Sequence, residues 1–99
     1  MDIVETLQVR PFRQSDRKEA IATYKALVLP DPNEGLRKIH LLQDMTLQGD
    51  LCIVLLWRPK GTTLGKSRIG IQLASVFAEF GRIDHTLWSN AGTVNHNYA

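Results

Sequence analysis

One cysteine, Cys52, occurs in the 99 residues, so no internal disulfide is available to the fold. It lies in the most apolar run of the chain. A reactive thiol needs exposure and a positive neighbourhood, so Cys52 reads as a buried, inert side chain. No window approaches the ~20 apolar residues that cross a bilayer. The first ten residues, MDIVETLQVR, carry an early acid and no long apolar core, unlike a secretory leader. The expectation is a cytoplasmic protein that does not engage a membrane. Nor is there an excess of one charge. Twelve Lys and Arg are interleaved with ten acids, for a net charge of +2. A nucleic-acid binder gathers its cations on one face or in one run, so no nucleic-acid partner is expected.

Chemistry-bearing motifs are also scarce. His40, His85 and His96 have no metal-ligand spacing, and no second cysteine joins them, so no metal site is expected. No Ser/His/Asp order, nucleophile elbow or carboxylate pair stands out. Asp44 and Asp50 flank a turn, where acids serve the turn itself. The stretch GTTLGKS, residues 61–67, imitates a phosphate loop but misses by one residue. Three residues, not the four a phosphate loop has, separate Gly61 from Gly65. The shortened loop closes too tightly for its N–H groups to wrap a phosphate. It reads as a turn and a helix start, with Lys66 and the first free N–H groups as the residual anion-attracting feature.

What is present is ordinary globular material, 43% hydrophobic and 22% charged, enough for one domain. Residues 3–9 alternate, with Ile3, Leu7 and Val9 on one parity and Glu5 interrupting the row. Residues 13–29 read as a helix capped by Ser15, burying Ala20, Ile21, Tyr24, Leu27 and Val28. Residues 36–46 read as a second strand. Ile39, Leu41 and Met45 take one face; Leu36, Lys38, His40, Leu42 and Asp44 take the other. A turn at 47–50 leads to a third strand at 51–58, apolar on both faces and therefore central. The second helix follows, with Ile69, Leu73, Val76, Phe77 and Phe80 as its stripe and Gly81 as its capping glycine. The fourth strand covers about 82–89, with His85 on the parity of Ile83 and Leu87. The tail at 91–99 is polar.

The order strand, helix, strand, strand, helix, strand is that of an α+β ferredoxin-like βαββαβ domain over residues 1–90. The halves echo each other weakly, Arg10-Pro11 against Arg58-Pro59 and Ile21 against Ile69. Right-handed crossovers put both helices on one face of a four-stranded antiparallel sheet. The third strand then presents apolar residues to a face that nothing in so short a chain covers. A second copy packing sheet to sheet, a homodimer, is the simplest cover.

This order, the doubly apolar third strand and the run LGKSRIGIQLASVFAEFGRIDHTLW resemble the dimeric α+β barrel superfamily, in its antibiotic biosynthesis monooxygenase-like branch. The resemblance implies two ferredoxin-like chains joined into a barrel. It also implies a cofactor-free, monooxygenase-like activity on an aromatic or polyketide-like molecule, with no cofactor bound. The haem-degrading members use an Asn on the first strand and a His on the second helix. This chain has neither; it offers Trp57 alone, which disfavours haem chemistry. Two functional readings stand side by side, a small enzyme and a non-catalytic ligand-binding or protein-interaction dimer. Tyr24, Trp57, His85 and Trp88 are the candidate pocket residues for a small aromatic ligand. Each has an ordinary alternative: the tryptophans and Tyr24 as core or interface, and His85 as a hydrogen-bonded structural histidine.

Overall fold

The computed structural model describes residues 2–29, 35–46, 49–58 and 65–95. Six elements follow in the expected order: β1 (Ile3–Pro11), α1 (Gln14–Lys25), β2 (Leu36–Gln43), β3 (Leu51–Trp57), α2 (Arg68–Phe77) and β4 (Gly81–Ser89). The sheet runs β2-β3-β1-β4 with every pairing antiparallel. β1 and β3 are central, as the continuous apolar run of β3 requires. No helix among the described residues is long and apolar enough to cross a membrane.

Side-chain alternation sorts the sheet into two faces. Leu7 and Val9 of β1 join Leu51, Ile53, Leu55 and Trp57 of β3 on the inner face. Ala20 of α1 and Ile69, Leu73 and Phe77 of α2 close over them, so both helices share one side of the sheet. Each fully buried large side chain contributes roughly 1.5–3 kcal/mol relative to exposure. Phe80 packs edge-on to Phe77, with ring centroids 6.0 Å apart.

Several local expectations are corrected. α1 is capped by Arg13, whose side chain makes no capping bond, and Ser15 lies inside the helix. Arg13 instead pairs with the buried Asp16 at 3.1 Å. α1 ends at Lys25, so Val28 falls beyond it and is 93% exposed. β2 stops at Gln43, which leaves Met45 at 98% exposure. A register shift between Leu36 and Lys38 inserts Arg37 as an extra residue. This bulge turns Leu36 toward the core, against the simple alternation. On α2 the buried stripe centres on Gly70, Leu73 and Phe77, which puts Val76 at its half-exposed edge. Gly81 is no helix cap. It opens β4 opposite Pro11, where a Cβ would sit 2.3 Å from the Arg10 carbonyl oxygen. Gly65, at φ +105°, supplies the left-handed turn before α2. The loop at 30–34, part of the turn at 47–48, residues 59–64 of the phosphate-loop look-alike, and His96 and Tyr98 lie outside the described residues.

Leu55 is fully buried at the middle of β3. Leu55→Ala is expected to remove roughly 2–5 kcal/mol of stability in urea denaturation. Met45→Ser should change it by less than about 0.5 kcal/mol.

Candidate functional site

Glu5, the residue that breaks the apolar row of β1, is 0% exposed on the inner face. Its register partners are Leu55 on β3 and Leu87 on β4. Its diagonal neighbours are Trp57 on one side and His85 on the other. Diagonal pairs lie about 7–8 Å apart at the backbone, within reach of long side chains. All three side chains meet. Trp57 donates its indole N–H to Glu5 Oε1 at 2.9 Å. His85 Nε2 lies 2.5 Å from Glu5 Oε2. The His85 side chain is 7% exposed.

The start of α2 completes the shell. The Ser67 hydroxyl donates to Glu5 Oε1 at 2.6 Å and its backbone N–H to Oε2 at 3.1 Å. The same hydroxyl accepts from the Gly70 N–H at 2.8 Å, the usual N-cap bond. The carboxylate therefore lies at the positive end of the helix dipole. Each oxygen takes two partners, and among the described residues no buried side-chain nitrogen or oxygen lacks one. Gly70 is required sterically, because a Cβ there would stand 2.1 Å from Glu5 Oε2 and 2.9 Å from His85 Nε2.

Trp57 and His85 are thus joined through Glu5. Tyr24 and Trp88 are elsewhere. The Tyr24 hydroxyl donates to the Ile39 carbonyl of β2 at 3.3 Å, and burial pushes its pKa up. Trp88 lies on the opposite face of the sheet, 57% exposed, and donates to Thr6 Oγ1 at 2.9 Å. Cys52 also belongs to that face, and burial pushes its thiol up, away from the reactive thiolate. Sequence reasoning treated Glu5 as an interruption and Ser67 as the end of a false phosphate loop. The signal for Glu5 was present: a charged residue on the inward parity of a strand is buried only with partners.

Among the described residues, a groove opens at either end of the sheet. One, of about 200 Å³, lies between Gln8, Leu42, Asp44 and Asp50. The other, of about 330 Å³, lies beside Trp57 at the start of β1.

Solved structures with this architecture are found at low sequence identity. SnoaB, a cofactor-independent oxygenase from Streptomyces nogalater, superposes with a TM-score of 0.60 at 12% identity, covering 96% of this chain and 98% of that one. A candidate antibiotic biosynthesis monooxygenase from Deinococcus radiodurans gives 0.58 at 13%, covering 99% and 100%. A conserved protein of unknown function from Bacteroides thetaiotaomicron, a candidate oxidoreductase, gives 0.63 at 17%, covering 88% and 95%. The chain has the ferredoxin-like fold of the antibiotic biosynthesis monooxygenase-like proteins. No protein-family model and no curated protein matches the sequence. With this fold the site, and not the architecture, has to carry any functional argument.

The tight seat of Glu5 gives a direct test. In a helix, Gly→Ala ordinarily stabilises by up to about 1 kcal/mol. Gly70→Ala should instead destabilise by roughly 1–3 kcal/mol, measured by urea or thermal unfolding, because the methyl drives into the carboxylate.

Proposed function

We propose that this protein is a cofactor-free oxygenase-like enzyme that acts on an aromatic or polyketide-like molecule as a homodimer. The observation that carries the reading is the buried Glu5–His85 pair. A fully withdrawn carboxylate is a poor stabiliser compared with an apolar residue of like volume. Its use here is to hold an imidazole in one tautomer. With Nε2–H directed at Glu5, Nδ1 is the nitrogen that takes a proton. This is the orienting logic of a carboxylate–histidine pair, with Glu5 as positioning residue and His85 as base. The fold of a cofactor-independent oxygenase supports the choice of reaction.

The chemistry balances without a bound redox group. His85 takes a proton from an activated CH2 or its phenolic tautomer. The resulting carbanion passes one electron to dioxygen, and the two radicals combine as a peroxide. The peroxide takes back the proton, and the hydroperoxide eliminates one water, made from its terminal OH and the second C–H hydrogen. One CH2 and one O2 become one C=O and one H2O.

The homodimer rests on the open face of the sheet. There Val4, Val54, Leu56 and Cys52 are half-buried, and Leu42 and Trp88 are more than half exposed. A contiguous apolar face of this kind marks an interaction site. A second copy packed face to face covers it.

A second reading, a non-catalytic binding or interaction dimer, is favoured by one observation. Gly70 leaves no room for even a methyl group beside the Glu5–His85 pair. The two readings separate by oxygen uptake with phenolic and anthrone-like substrates. His85→Gln keeps an N–H for Glu5, so the protein should fold, while kcat falls by about 100-fold or more. Turnover unchanged in His85→Gln, or no uptake with any such substrate, rejects the enzyme. For the assembly, Val54→Asp is expected to give a folded monomer by sedimentation, where the parent chain is a dimer. A parent chain that sediments as a monomer rejects the sheet-to-sheet pairing.

A further inference from the structure

Once His85 has taken a proton at Nδ1, it shares two ring protons with Glu5 and there are two ways to place them. Either the ring keeps both, an imidazolium beside a carboxylate, or the Nε2 proton crosses to Glu5 Oε2 and leaves a neutral pair. The two atoms are 2.5 Å apart, so the proton crosses without movement of the chain. In water an imidazole outcompetes a carboxylate for a proton by roughly 100-fold. Burial opposes that preference, because an ion pair taken out of water is disfavoured against a neutral one. The Glu5 side chain is 0% exposed and that of His85 7%. Left to themselves, the two groups would neutralise each other. Three further bonds to Glu5 work against this. The Trp57 indole is only a donor, 2.9 Å from Oε1, and the Ser67 backbone N–H is only a donor, 3.1 Å from Oε2. The Ser67 hydroxyl already accepts from the Gly70 N–H, and it donates to Oε1 at 2.6 Å, the length of an O–H bond to an ionised oxygen. All three weaken when the carboxylate takes a proton, since bonds to an ionised acceptor are roughly twice as strong.

We propose that Ser67 and Trp57 are positioning residues that keep Glu5 ionised after His85 has taken its proton. The proposal rests on the reading of His85 as the base. An imidazolium is the form that returns the proton to the peroxide, and a neutral ring with its hydrogen on Nδ1 is a far weaker acid. The exchange takes place at an open edge of the ring. Nδ1 has no hydrogen-bond partner among the described residues, yet no buried side-chain nitrogen there lacks one, so Nδ1 reaches solvent. No other titratable group competes for the carboxylate. β3 faces Glu5 with Leu55 and Trp57, β4 with Leu87 and His85, and α2 with Ser67 and Gly70. The buried Asp16 of α1 is paired with Arg13 instead.

The test is a nitrogen–proton NMR spectrum of the histidine-labelled full chain, at the lowest pH where circular dichroism shows it folded. The parent should keep the His85 Nε2 proton there. The double variant Ser67→Ala, Trp57→Phe loses both donors to Oε1, each a factor of about ten or more in favour of the ionised form. Together they offset the roughly 100-fold preference of the ring. In this variant Nε2 should be bare and the ring proton should sit on Nδ1. Ser67→Thr keeps the hydroxyl and should match the parent. Should the double variant not fold, Trp57→Phe, which keeps an aromatic ring in the core, is read in the same way and should lose part of the Nε2 proton. A bare Nε2 in the parent, or an Nε2 as fully protonated in the folded variants as in the parent, overturns the proposal. A protein that shows the expected spectra but consumes no oxygen rejects the oxygenase reading and leaves the proton placement standing. Oxygen uptake with unchanged spectra in the variants does the reverse.

Discussion

A carboxylate with no solvent exposure sits in a central strand, and much of the structure is arranged around it. Removing such an ion from water costs several kcal/mol after relaxation, so it persists only with every acceptor position used. Glu5 recruits its donors from three elements. Trp57 comes from β3, His85 from β4, and Ser67 from the cap of α2. These contacts fix the approach of α2 to the sheet. They also explain a glycine in the first turn of an otherwise apolar helix, since nothing larger than hydrogen fits against Oε2.

The two faces of the sheet answer different physical demands. The inner face is a packed core that tolerates one polar cluster because that cluster is self-satisfied. The outer face keeps apolar side chains without a cover in the single chain. The fold is shared with proteins only 10–17% identical across most of their length. At that distance the fold persists while most individual side chains do not, and an activity has to be argued from Glu5, His85 and their neighbours.

The element order, the two-faced β3 and most of the α2 stripe were legible because each rests on periodicity over several residues. What failed were features decided by a single tertiary contact. The bulge at Arg37 reverses Leu36, and no alternation rule contains it. Arg13 displaces Ser15 as cap because Asp16 is buried and holds the arginine. Val76 was placed one step too far into a stripe whose centre is set by the close approach of Gly70 to Glu5. Of the candidate site, Trp57 and His85 were named, but their connection was hidden. Only the register shows that both are diagonal to Glu5. Tyr24 and Trp88 shared nothing with them beyond residue type and an inward or outward parity.

The central claim is that Glu5 accepts at all four of its contacts and so holds His85 with its proton on Nε2. A long-range nitrogen–proton NMR spectrum of the histidine-labelled protein at neutral pH reads this directly. The account requires a His85 Nε2–H resonance, shifted downfield by the short bond and slow to exchange with water, and an unprotonated Nδ1. A His85 ring protonated on Nδ1 alone would mean that Glu5 is the donor, and would contradict both the seating of the carboxylate and the role given to the histidine.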